Sequence, residues 1–148
     1  MGGTLIRALR REDRPAWQTL WNAYLDFYRQ DLPAGVSDDL FERLLSPNGH
    51  EALVAVREES LVGLVHYLFH DSTWSTGSTC YLEDLFVSET GRGSGAGRAL
   101  IEAVYAAADA RAGTDGAVYW HTHHHNEAAR KLYDRVGVLS DFVRYERS

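Results

Sequence analysis

Between Tyr81 and Leu100 the chain reads YLEDLFVSETGRGSGAGRAL: an apolar, β-rich run, a glycine loop, then strong helix formers. No other stretch constrains the fold as much. A strand delivers the backbone to a loop able to take unusual angles, and the loop opens into a helix whose positive end faces the same point. Several N–H groups then converge where the helix dipole also favours negative charge, while Arg92 and Arg98 bring cations without filling the centre. Such a site is built for a diphosphate, and a plain turn rarely needs four glycines before a helix. Two other phosphate motifs fit poorly. A P-loop requires Gly-x4-Gly-Lys-Ser/Thr, and the stretch holds no lysine. A dinucleotide fingerprint can be drawn through Gly91, Gly93 and Ala96, but only about fifty residues follow, too few for its alternating strands and helices.

The rest of the chain reads outward from this loop. After a flexible Met1–Thr4 lead, Leu5 to Leu9 forms an opening strand. A helix follows, with Pro15 in its first turn and Trp17, Leu20, Trp21, Tyr24, Leu25 and Tyr28 at helical spacing. The Leu32–Ser37 segment breaks it, and a second helix starts with Ser37 as cap and acids in its first turn. Asn48-Gly49-His50 is turn chemistry. Ala52–Arg57 and Leu61–Phe69 are strands joined by a polar Glu58-Glu59-Ser60 reversal, and Tyr81–Val87 is a third. The helix after the glycine loop stops at Gly113. Ala117–Thr122 is a strand, Asn126–Gly137 a helix and Phe142–Arg147 a last strand. The expected fold is α/β: one domain over residues 1–148, with a mixed, mostly antiparallel central sheet flanked by helices.

A chain of 148 residues with 45% hydrophobic and 24% charged content suits one soluble globular domain. Its net charge of −6 argues against a nucleic-acid or anionic-membrane binder, which needs a basic face, and suits a cationic partner. The single Cys80 leaves no internal disulfide and fits a reducing compartment, and no leader or long apolar run opens the chain. The expectation is a cytoplasmic protein.

Arg92-x-x-Gly95-x-Gly97, placed between a strand and a helix, resembles the acetyl-CoA pyrophosphate motif of the GNAT superfamily of N-acetyltransferases. Asn126, Ala129, Leu132, Tyr133 and Gly137 resemble that superfamily's second signature. Tyr81–Val87 is similar to the strand of its spermidine/spermine and thialysine acetyltransferase branch. The likeness runs from about Ala52 onward, while the residues before it agree in layout only. It implies a GNAT-like fold, acetyl-CoA as co-substrate, no metal, and a homodimer as in small relatives. It implies further that Arg92, Gly93, Ser94, Gly95, Ala96, Gly97 and Arg98 hold the diphosphate. Backbone groups of Leu85, Phe86 and Val87 would then bind the pantetheine arm as an added strand, and Asn126 and Tyr133 would face the cofactor.

Acetyl transfer to an amine sets three chemical demands. The ammonium must lose its proton, the developing oxyanion needs a donor, and the leaving thiolate needs a proton. Strand alternation puts Tyr81, Glu83, Leu85 and Val87 on one face and Leu82, Asp84 and Phe86 on the other, so the two acids should not share a pocket. The resemblance selects Glu83 as base, acting through a water, with Asp84 structural or at the substrate mouth; a solvated acid beside an arginine-paired one is the plainer reading. Tyr133, seven residues after Asn126 and on the same helix face, is the candidate acid, against the alternative of a core tyrosine. Asn126 serves the cofactor, caps its helix, or both.

His121, His123 and His125 would share one face if their strand continued, an acceptable ligand spacing, but the reaction requires no metal. In family members the acceptor pocket is built by the early helices, the loop before the central strand and the strand itself. Here those offer Trp21, Tyr24, Asp26, Tyr28, Asp31, Trp74, Glu83 and Asp84, of which Tyr24, Asp26, Trp74 and Asp84 are the substrate candidates. Aromatics with acids suit a cationic amine. The expected activity is acetyl transfer from acetyl-CoA to a small cationic amine (polyamine, diamine or lysine-like) in a ternary complex. Its rivals are a protein lysine or N-terminal acetyltransferase and a non-catalytic acyl-CoA-binding module.

Overall fold

Strand β1 (Leu5–Ala8) leads through a short turn at Arg11–Asp13 into helix α1 (Arg14–Phe27), with Pro15 in the first turn as its fixed φ allows. The computed structural model describes residues 3–46 and 49–148; Met1, Gly2, Pro47 and Asn48, and with them parts of the lead and of the Asn48-Gly49-His50 turn, lie outside the described residues. Asp13 fixes where α1 begins. It accepts two hydrogen bonds from Arg7 of β1, at 2.8 and 3.0 Å, and one from the Arg10 backbone, and the guanidinium holds its carboxyl below the usual range.

Helix α2 (Val36–Leu44) starts differently from its sequence reading. The cap is Gly35, in the left-handed region at φ 89°; Ser37 lies inside the helix, where its hydroxyl accepts the Trp21 indole N–H at 3.0 Å. A tertiary partner outcompeted the local cap.

Strands β2 (Glu51–Arg57), β3 (Ser60–Asp71) and β4 (Ser78–Val87) extend the sheet, followed by α3 (Ala96–Ala110), β5 (Thr114–Tyr119) and α4 (Glu127–Val136). The order is β1-β2-β3-β4-β5, antiparallel up to β4, with β5 parallel to β4 across the α3 crossover. This is the mixed, mostly antiparallel α/β sheet expected. It is covered on both sides, which is why β2 and β3 are almost continuously apolar. On one side Trp17, Leu20 and Trp21 of α1 and Leu40, Phe41 and Leu44 of α2 pack on Val54 and Leu64. On the other, Ala96, Leu100, Ile101, Val104 and Ala108 of α3 pack on Val65, Tyr67, Cys80 and Leu82, with Leu132, Tyr133 and Val136 of α4 at the margin.

The β2–β3 hairpin turns at Glu58 and Glu59, both at positive φ (50° and 66°). A two-residue hairpin turn favours that backbone but not those side chains. Replacing the pair by Glu58→Asn and Glu59→Gly is expected to add about 1 kcal/mol of stability, read as a rise in Tm of roughly 3 °C.

Two readings of strands are corrected. The last strand does not form: Phe142–Arg147 lies outside regular structure, and Val138, Leu139, Phe142, Val143 and Tyr145 are all exposed. Among the described residues that segment pairs with no strand. Strand β5 ends at Tyr119 rather than Thr122, because Trp120 turns toward α3 and α4, its ring 5.5 Å from that of Tyr133 and 6.3 Å from that of Tyr105. A Cβ at Gly137 would stand 2.9 Å from this indole, so the chain closes over Trp120 only with glycine there.

Candidate active site

The register of β3 and β4 carries the key departure from simple alternation. His66 pairs with Asp84, but Tyr67 pairs with Leu82, leaving Glu83 as the extra residue of a β-bulge. Leu82 therefore shares the α3 side with Leu85 and Val87, while Phe86 packs on the α1 side. The expectation that Glu83 and Asp84 must face opposite ways is overturned. Both now serve the side covered by α1 and α2: Asp84 Oδ1 accepts the Tyr24 hydroxyl at 2.7 Å, and Glu83 Oε1 meets His50 Nε2 at 2.8 Å. Burial, and then the two carboxylates, push the Tyr24 phenol far above its ordinary pKa, so it stays protonated and donates to Asp84.

Beyond the bulge, β4 loses its neighbour. Pairing with β5 ends at Tyr81 opposite Tyr119, so the Leu82–Val87 backbone faces an opening where β5 has turned away. Leu85, Phe86 and Val87 thus present an unpaired strand edge of the kind that an extended amide chain can join. The stacked rings of Tyr81 and Tyr119, 4.9 Å apart, close the paired end, where His121 bonds the Tyr81 hydroxyl at 3.2 Å.

The glycine loop stands at the open end. Gly93 and Gly95 adopt φ of 77° and 83°, and no atom lies within 4 Å of a Cβ built on either. The positive φ favours glycine there, and the space beside each Cα is open. The loop's internal bonds run from Arg92 N–H to Glu89, from Ser94 N–H and its hydroxyl to Gly91, and from Ala96 N–H to Ser94. Among the described residues no protein acceptor takes the N–H groups of Gly93, Gly95, Gly97 or Arg98. Those donors, ahead of the fifteen-residue α3, suit a diphosphate. The side chains of Arg92 and Arg98 are exposed, Arg92 toward the Val87 carbonyl (3.4 Å) and Arg98 toward Glu102 (3.4 Å). A Cβ at Gly97 would meet Leu132 at 3.1 Å, so this position lets α4 approach the loop.

On α4, Tyr133 is largely buried against Trp120, and burial pushes its phenol up to about 12. It keeps its proton throughout the neutral range. Asn126 is the N-cap of α4, but its side chain makes no capping bond: its amide donates to Thr122 Oγ1 at 3.2 Å, beside the Tyr28 hydroxyl. Tyr28, Asn126 and His123 line a cavity of about 570 Å³ together with Phe27, Arg29 and His125. The histidines do not form a strand face. His123 and His125 stack 5.2 Å apart in a loop, and among the described residues no three His, Cys, Asp or Glu side chains gather as a metal site.

The substrate candidates divide. Tyr24 and Asp84 meet directly, whereas Asp26 is exposed on α1, and Trp74 stands 87% exposed on the loop at the far end of β4. Two histidines escaped the sequence reading. His66 is wholly buried between Trp17 and Asp84, and His50 lies between Arg43 and Glu83. The one available signal for the first was a polar residue in the otherwise apolar run Leu61–Phe69.

A strand pair that opens beside unpaired loop amides is the architecture of enzymes that take acetyl-CoA as acyl donor. Residues 17–138 match the Acetyltransferase (GNAT) family, and the chain belongs to it. It is 37% identical over 147 residues to the D-amino-acid N-acetyltransferase HPA3 of Saccharomyces cerevisiae, covering 97% of this chain and 90% of that protein. It is 36% identical to the uncharacterized N-acetyltransferase YhfO of Bacillus subtilis, covering 95% and 94%. An aminoglycoside N-acetyltransferase, AAC(6')-Iy, solved with CoA, superposes with a TM-score of 0.85 over 100% of this chain and 96% of its own, at 18% identity. A ribosomal-protein-alanine N-acetyltransferase from Brucella melitensis reaches 0.81 at 23% identity, covering 99% of each chain. The last two show the fold. These relatives show the family; the finer likeness to the spermidine/spermine and thialysine branch is not shown by them. Among the described residues no helix is long and apolar enough to cross a membrane.

Proposed function

We propose that the enzyme acetylates the primary amine of a small cationic molecule, such as a polyamine, a diamine or a lysine-like amino acid, in a ternary complex with acetyl-CoA. The observation that carries this reading is the bulge: it sets Glu83, 41% exposed, and the aromatic-walled Asp84–Tyr24 pair together beside the unpaired edge of β4. Acids with aromatics attract an ammonium, and the 37% identical relative is named as a D-amino-acid N-acetyltransferase.

The chain's own groups then divide the work. Glu83 takes the ammonium proton through a water, and the freed amine attacks the thioester carbonyl carbon. An amide of the Leu85–Val87 edge donates to the oxygen that becomes negative. As the C–S bond breaks, Tyr133 delivers its phenolic proton to the sulfur, and the proton still carried by the acylated nitrogen passes through water to restore the phenol. The burial that lifts the phenol to about 12 also raises the proton affinity of a thiolate beside it, which offsets the mismatch with an ordinary thiol. The loop amides of residues 92–98 and the Asn126 amide hold the diphosphate and pantetheine.

Tyr133→Phe is expected to lower kcat by roughly 10²-fold while leaving the KM for acetyl-CoA near its native value. An equal rise in KM would assign the phenol to binding instead. The reading as a whole is tested with acetyl-CoA and a panel of polyamines, D- and L-lysine analogues, aminoglycosides and histone-tail peptides, following release of free thiol. Turnover confined to peptides would replace the small amine by a protein.

A homodimer is part of this proposal. Five large apolar side chains of the 138–145 segment are exposed, more than an isolated small domain leaves wet in one short stretch. Sedimentation velocity on the full chain checks it, and a monomer at micromolar concentration removes this part.

A further inference from the structure

The two neighbouring acids of the bulge are each held by a histidine, and each histidine is held in turn by a side chain that can only donate. The Trp17 indole donates to His66 Nε2 at 3.1 Å, and His66 Nδ1 meets Asp84 Oδ2 at 3.0 Å. An Arg43 N–H meets His50 Nδ1 at 3.2 Å, and His50 Nε2 meets Glu83 Oε1 at 2.8 Å. An indole or guanidinium has no lone pair to offer, so the nitrogen facing it must accept and the other nitrogen must carry the hydrogen. His66 is therefore the Nδ1–H tautomer, donating to Asp84. Its bond to that carboxylate is a neutral donor's bond, although its geometry alone would also suit an ion pair.

The two chains end differently. Asp84, 15% exposed, has both oxygens occupied, one by His66 and one by the Tyr24 hydroxyl. Glu83 is bonded through Oε1 to His50 and is far more open. An acid with both oxygens engaged inside the fold is poorly placed to take a substrate proton; an acid with an open oxygen is well placed.

We propose that His66 is a positioning residue for the acetyl acceptor. Through Asp84 it pins Tyr24 and the bulge register, and so sets where Glu83 meets the amine. The proposal rests on the amine-acetylation reading above. His66 is wholly buried, faced by Asp84 from β4 and by Trp17 and Trp21 from α1, and paired across the sheet with Ala52 of β2. Asp84 is the charged group among these, and the titratable Tyr24 reaches His66 through that carboxylate.

Trp17→Phe tests the device while keeping His66 and most of the core ring. It removes the N–H that locks the tautomer and frees Nε2 to take a proton. The expected results are a fall in kcat/KM for the amine of roughly tenfold or more, an unchanged KM for acetyl-CoA, and a new ionisation in the acid limb of the amine pH profile. Imidazole ¹⁵N spectra at neutral pH are expected to show the single Nδ1–H tautomer of His66 in the native protein and a mixture of tautomers in Trp17→Phe. An Nε2–H tautomer or an imidazolium in the native protein would overturn the proposal. So would a variant with the native pH profile, or one whose loss falls equally on acetyl-CoA. If no amine on the panel is turned over, the function falls while the spectra still decide the tautomer.

Discussion

Glu83→Gln is expected to reduce kcat by roughly 10²- to 10⁴-fold, the range for losing a positioned general base. CoA affinity should stay native. Glutamine keeps an acceptor oxygen for His50 Nε2, so the Arg43–His50 chain and the bulge persist and only the proton-accepting capacity is lost. Raising the pH should partly rescue the variant, because a larger fraction of the amine then arrives unprotonated; the native enzyme, with its own base, gains less. Steady-state rates from pH 6 to pH 10, with calorimetry of CoA binding, check both halves. A variant with native kcat would move the base elsewhere, and one that no longer binds CoA would make Glu83 structural.

Gly95→Asp should have the second large effect, on binding instead of turnover. Gly95 caps α3 at φ 83°, and the space where a Cβ would project is empty of protein. A side chain there is strained by its backbone and enters the volume the diphosphate needs, and a carboxylate repels it. Loss of charge-assisted bonds from the loop amides predicts a rise in the KM for acetyl-CoA of roughly 30- to 1,000-fold. Gly95→Ala separates the causes, since it keeps the strain without the charge, and salt should narrow the gap between the two variants. Calorimetric titration with CoA measures it. Native affinity in Gly95→Asp would place the diphosphate away from the loop.

What could be seen in the sequence was what local chemistry dictates. The glycine loop before α3 gives its own reason for its backbone, since few residues other than glycine take φ near 80° at Gly93 and Gly95. The helices were visible because an apolar stripe repeats with the helical period, and the long strands because both faces of β2 and β3 are covered. Errors fell where a distant partner overrode a local preference. Ser37 left its capping role for the Trp21 indole, β5 stopped short because Trp120 found α4, and Phe142–Arg147 has strand-forming residues yet pairs with no strand.

The same division runs through the site. The sequence by itself determined which groups the enzyme owns: a glycine loop with unpaired amides, two adjacent acids on a strand, and a tyrosine and an asparagine on one helix. Only the tertiary structure decided where the acids stand. One residue of slip between β3 and β4 brought both to the same side, and donor-only partners from α1 and α2 oriented the histidines beneath them. A bulge depends on the register of two strands, and a tautomer on what stands at the far ring nitrogen. Neither is a property of residues close together in the chain.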